Sequence, residues 1–319
     1  MNGLPLPAGS KSTISTTAIS YLSVSTLATF VNKLLYVHSE YKFPFPFITV
    51  FFQLVITLIF MALWSFINPT HHPSYFRIPK LRWNSSVAIR IAPLTLVYLC
   101  VIIFNPLFLQ HVEVSTYHFT HSLSIAFSMI FSHLMLHVEN SQRVKSACII
   151  MIIGMCLGFI GHLNFSVVST FYGLGWPAIL AIYSIYLKKT LVAFKNDFWL
   201  LIQYNTIMST VIMIPLIFLS GELDKVFTSI WFWDETGFWV QMIITSLTNF
   251  SVNVIMLILL IRVSPLSLSV AGVTKTIIQT LIAYVIFGNP LSLLNLAGML
   301  LSLAGAVYYA RLKTEELKL

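Results

Sequence analysis

Long apolar runs separated by short polar breaks dominate this chain. Divided at Pro, Gly and charged positions, the runs predict helices at about 14–37, 45–67, 87–110, 114–137, 144–163, 168–187, 198–219, 237–260, 264–287 and 291–311. Each is near the roughly 20 residues that carry an α-helix across about 30 Å of hydrocarbon. Lipid offers no partner to a backbone N–H or C=O, so a helix, which bonds its own backbone, is the expected form. The predicted class is an all-α membrane protein with ten transmembrane helices.

A second pattern overlies the first. Val114-Ser115 opens the fourth run and Asn140 follows it, while Val263-Ser264 opens the ninth and Asn289 follows that, with 25 residues from Ser to Asn in both cases. The next runs carry Gly154–Gly161 (GMCLGFIG) and Gly298–Gly305 (GMLLSLAG). Two matches in the same order imply two five-helix repeats, about 14–163 and 168–311. Because five is odd, the second repeat is inverted in the membrane. Inverted repeats are a plan of secondary transporters, which bind substrate near the midplane. Small residues every few positions are also ordinary helix-packing devices, and they make a homodimer plausible.

Composition agrees with lipid as the main solvent. Hydrophobic residues make up 57% of the chain and charged residues 9%, against about 25% charged in soluble domains. With a cytosolic amino terminus, fourteen of the 18 Lys and Arg fall on the cytosolic side. They include Arg77, Lys80, Arg143, Lys188 and Arg262; only Lys42 and Lys225 fall opposite. The positive-inside rule then predicts both termini cytosolic. The scattered basic residues argue against nucleic acid as a partner despite the +8 net charge. Met1 to Lys11 lacks the features of a cleaved signal peptide, so the first run is expected to act as a signal anchor. Cys100, Cys148 and Cys156 lie in apolar runs without metal-type spacing and are expected to be buried structural thiols. All ten carboxylates fall in loops or at run ends. Ion-coupled carriers commonly hold one inside the membrane, so this placement favours exchange of two anions.

The polar residues within the runs carry the chemistry. Lys275 stands about eleven residues from either end of the ninth run, where a lysine costs at least about 2.5 kcal/mol to insert. An anionic ligand would repay that cost; binding to neighbouring carbonyls, or snorkelling through a water defect, is the bland alternative. Ala271 and Gly272 precede it on one helical face, leaving room for a ligand beside the ammonium. The fourth run carries Tyr117, His118, His121, Ser124, Ser128 and Ser132 at helical spacing, lining either a cavity or a helix contact. A metal site is not expected, since no second cluster supplies further ligands. Asn32 and Lys33 extend a polar stripe in the first run, where Lys33 either serves a cavity or snorkels. Gln203-Tyr204-Asn205-Thr206 interrupts the seventh run. Amide plus phenol can read a base or sugar, and interhelical hydrogen bonding would equally account for them. Asn249 and Asn253 form a weaker pair in the eighth run. No nucleophile-base arrangement or phosphate-binding loop is present, so neither an enzyme nor a cofactor is expected.

With these residues in place, the chain resembles the nucleotide-sugar transporter and triose-phosphate translocator branch of the drug/metabolite transporter superfamily. Within that branch it looks most like the GDP-fucose transporters of the Golgi. The similarity spans about Asn32 to Tyr309 and is carried by Asn32-Lys33, Phe104–Tyr117, Ile185–Leu191, Gln203–Thr206, Leu219–Leu223 and Val263–Thr280. The resemblance implies an antiporter that brings a nucleotide sugar into the Golgi or endoplasmic reticulum lumen and returns the nucleoside monophosphate. It also implies that Tyr204, Asn205 and Thr206 lie on the base side, with Ala271, Gly272, Thr274 and Lys275 toward sugar and phosphate. His121 takes the place of an Arg or Lys of the relatives, Thr206 that of an Asn, and Ala271–Lys275 (AGVTK) that of their GALNK segment. A sugar-phosphate or phosphoenolpyruvate exchanger, needing only the phosphate-holding end, and a non-transporting scaffold are the competing readings.

Overall fold

The computed structural model describes residues 11–33, 41, 43–67, 78–79, 83–111, 114–159, 167–287 and 293–316. Among them the chain forms helices α1 (Lys11–Lys33), α2 (Pro46–Ile67), α3 (Ser85–His111), α4 (Val114–Leu136), α5 (Gln142–Phe159) and α6 (Val167–Ala193). They are followed by α7 (Phe198–Ser220), α8 (Glu222–Ser229), α9 (Thr236–Arg262), α10 (Pro265–Phe287) and α11 (Leu293–Glu316). Each predicted run holds one of these helices, and α8 is an eight-residue addition in a loop. No strand occurs among the described residues. Seven helices are long and apolar enough to cross a membrane, counting described residues alone. The protein is therefore an α-helical membrane protein. Large apolar side chains such as Ile89, Leu96 and Phe66 are exposed, as lipid contact allows. Cys148 is buried as expected, whereas Cys100 is exposed on α3. An apolar run marks lipid contact as readily as protein contact, which is why its position misled.

Two compact units make up the chain. The first comprises Met1–Leu22, Phe104–Lys188 and Leu259–Leu319; the second comprises Ser23–Ile103 and Lys189–Ile258. Each draws on both halves of the sequence.

In the first unit the two glycine-rich helices, α5 and α11, pack along one another. A Cβ on Gly154 would lie 2.6 Å from the Ser302 nitrogen, and one on Gly298 would strike the Gly158 backbone. Only hydrogen fits at these positions. Ser302 Oγ donates to the Met151 carbonyl at 3.0 Å across the contact. Ala147 and Met151 meet Gly305 while Gly158 meets Gly298, so the helices run antiparallel. These small faces fill each other within one chain, and the homodimer expected from them loses that support. The α4 and α10 helices are likewise antiparallel, with the Ser128 and Ser269 hydroxyls 2.6 Å apart. At one end of this unit Lys188 donates to the carbonyls of Leu260, Ile261 and Val263 at 2.5, 3.1 and 3.0 Å. An ammonium placed there satisfies the open carbonyls at the end of α9. Arg262 donates to Thr17 Oγ1 and to the Thr13 carbonyl at the start of α1.

In the second unit α2 packs against α7. Glu222, the first residue of α8, accepts from the Ile48 and Phe47 amides at 3.1 and 3.4 Å and so caps the first turn of α2. Burial raises its carboxyl above the usual range, while those two amides and Lys225 pull it back. An aromatic cluster of Phe43, Phe45, Phe232 and Phe238 packs beside this cap.

Candidate functional site

Lys275 is the eleventh residue of α10. A rise of 1.5 Å per residue puts it roughly 15 Å from the helix start. Its side chain is half-buried, and among the described residues no carboxylate or carbonyl bonds the ammonium. The carbonyl-bound alternative raised by the sequence belongs instead to Lys188 of α6, which sits at a helix end. Three residues before Lys275, buried Gly272 faces α4. A Cβ there would stand 3.2 Å from Cε1 of His121, so the absent side chain admits the imidazole against α10. His121 is itself buried. The first unit thus brings a lysine and a histidine to the same stretch of α10, two groups able to hold an anion.

Neighbouring residues refine this stretch. Thr274 Oγ1 donates to the Val270 carbonyl at 2.8 Å and Thr276 Oγ1 to Gly272 at 3.1 Å, so both hydroxyl hydrogens return to their own helix. Ala271 is half-buried. Tyr117, like His118, lies outside the residues whose side chains are described, as does the side chain of Lys33.

The polar segment of α7 lies in the second unit and divides into two kinds. Gln203 Nε2 donates to the Pro79 carbonyl at 2.7 Å, and the Tyr204 hydroxyl accepts from the Asn84 amide at 2.8 Å. The Tyr204 ring stacks on Trp83 with centroids 5.2 Å apart and planes 16° from parallel. These two side chains hold the segment that enters α3. Asn205 and Thr206 are also buried, but the Asn205 Oδ1 has no hydrogen-bond partner among the described residues. A buried, unpaired carbonyl suits a donor brought by a ligand. Asn205 is therefore the member of the segment whose acceptor stays open to a ligand.

Asn32 occupies a different place in the same unit. Its Nδ2 donates to Asn249 Oδ1 at 2.9 Å, and Asn249 Nδ2 donates back at 3.3 Å and to Gln53 Oε1 at 3.2 Å. Sequence reasoning noted Asn32 and Asn249 but passed over Gln53. Its signal was the one that exposed the α7 segment: a lone amide in an apolar run, Pro46–Ile67.

A family model described as the Triose-phosphate Transporter family matches residues 13–310. GDP-fucose transporter 1 of Dictyostelium discoideum is 32% identical over 309 residues, covering 97% of this chain and 83% of that protein. The Golgi GDP-fucose transporter of Drosophila melanogaster is 28% identical over 301 residues, with 93% and 89% covered. One solved crystal structure shares the fold with a TM-score of 0.69 at 12% identity, covering 97% of this chain and 100% of that one.

Proposed function

The chain belongs to the Triose-phosphate Transporter family, and from that premise we propose that it exchanges a GDP-sugar, GDP-fucose first among them, for a nucleoside monophosphate such as GMP. It is a transporter and not an enzyme. The cargo enters the lumen of the Golgi or endoplasmic reticulum, with both termini of this multi-pass protein in the cytosol. Lys275 is the observation that carries the reading. A half-buried ammonium in the middle of an apolar helix, unbonded by described residues and three positions after the glycine that meets His121, calls for an anion.

Lys275, Gly272, Ala271 and His121 form the phosphate-facing set in this proposal, with Tyr117, Lys33 and Thr274 as further contacts. Asn205 and Thr206 face the base, and Tyr204 supports them from the α3 side. The repeats at about 14–163 and 168–311 would alternate access by rocking. The antiparallel pairing of α4 with α10 and of α5 with α11 supports that plan, because these are the helices an inverted repeat would relate.

The commitment of Gln203 and Tyr204 to the α3 entrance favours one competitor, a sugar-phosphate or phosphoenolpyruvate exchanger that needs no base pocket. Reconstitution separates the two. Liposomes loaded with GMP, UMP, CMP or phosphate are offered labelled GDP-fucose, other nucleotide sugars or sugar phosphates. Internal GMP is expected to drive GDP-sugar uptake. Exchange confined to internal phosphate would overturn the nucleotide reading.

A further inference from the structure

In the amide cluster of α1, α2 and α9 every oxygen has a partner but, among the described residues, not every N–H group does. Each of its three side chains brings one carbonyl oxygen and two N–H donors. All three oxygens accept inside the cluster: Asn249 Oδ1 from Asn32, Asn32 Oδ1 from Asn249, and Gln53 Oε1 from Asn249. Asn249 spends both of its N–H groups on these bonds. One N–H of Asn32 and both of Gln53 have no partner among the described residues. The three side chains are half-buried, and Gln53 is the one amide of α2, whose other polar residues are Thr49, Thr57 and Ser65.

A cluster serving only to join helices has no use for surplus donors, and an amide donor kept from water without a partner costs about as much as a lost hydrogen bond. Asn249 lies at the centre and holds the other two by their oxygens, so every oxygen has a partner while N–H groups of Asn32 and Gln53 are left over. They carry no charge. Neutral N–H pairs of this kind suit oxygen acceptors, which a nucleotide sugar offers as sugar hydroxyls and as phosphoryl oxygens. We infer that Gln53, steadied by Asn249 and joined by Asn32, is a substrate contact that donates to oxygen atoms of the carried nucleotide sugar. Gln53 is the contact residue and Asn249 a positioning residue. The inference rests on the nucleotide-sugar reading above for the identity of the cargo.

Two substitutions test it in reconstituted full-length protein. Gln53→Leu removes both donors. Gln53→Glu keeps an oxygen for Asn249 and so preserves the cluster, but puts a carboxylate oxygen where the N–H groups were. Both are expected to raise KM for GDP-fucose exchange about tenfold, with Gln53→Glu retaining the wild-type melting temperature. An equal rise for GMP assigns the donors to phosphoryl oxygens; a rise for GDP-fucose alone assigns them to the sugar hydroxyls. An unchanged KM for both ligands in Gln53→Glu, or a Gln53→Leu that lowers the melting temperature without moving KM, overturns the subsite. Wild-type protein that exchanges no nucleotide sugar would instead sink the cargo reading.

Discussion

Both α10 and α7 break an apolar helix with polar side chains, yet their surroundings use those side chains in opposite ways. On α7, Gln203 and Tyr204 are spent on the chain that enters α3, through two hydrogen bonds and a stacked indole. On α10, Lys275 meets no bonding partner among the described residues, while the nearby threonines satisfy themselves on their own helix. Polarity inside a membrane helix therefore has two meanings. Where protein partners complete the bonding, it builds structure. Where they do not, the remaining bond is left for a ligand.

Four substitutions test this contrast. The largest effect is expected from Lys275→Ala. Exchange should fall by at least about 100-fold, equivalent to about 2.8 kcal/mol. The melting temperature in detergent should hold or rise, since a costly charge has gone. Retained exchange would make the lysine structural and erase the difference between the two helices.

A second pair divides α7 itself. Asn205→Ala is expected to change the preference among GMP, UMP and CMP roughly tenfold with little loss of stability, because the lost oxygen had no partner. Tyr204→Phe should do the reverse. It leaves the Asn84 amide unbonded, costs about 1 kcal/mol of stability, and keeps the base ranking of the wild type. The same shift in ranking from both variants would show that the phenol, too, reads the cargo.

The smallest expected effect is that of Gly272→Ala. Its Cβ would stand 3.2 Å from the His121 ring, which must yield by a few tenths of an ångström. A rise in KM of about threefold, without a change in maximal rate or melting temperature, would place His121 with Lys275 at the phosphate. No change in KM would remove the histidine from that end.

Much of the helical layout was legible in the pattern of residues, because apolar length is itself the physical requirement for crossing lipid. The intervals at 45–67 and 264–287 match α2 and α10 within a residue at each end. The first interval reached position 37, whereas α1 is described only to Lys33. Short α8 went unseen because its eight residues carry no span-length signal. Lys275 could be singled out from its position alone. Lys188 was counted as a loop cation, although it lies inside α6 with its ammonium against three carbonyls. Nothing local to α6 indicates that the end of α9 lies within its reach.

Residue order alone tells that this protein lives in lipid, which segments form its long helices, and that one lysine sits where a charge is costly. These follow from solvent transfer and helix length, which depend on neighbours along the chain. Which polar groups are satisfied was settled by the packing of the helices. It bound Tyr204 to Asn84, set His121 against Gly272, and joined Asn249 to Asn32 and Gln53. Hydrogen bonds between helices link residues up to 249 positions apart. Their partners are chosen by packing, and no periodicity along the chain records that choice.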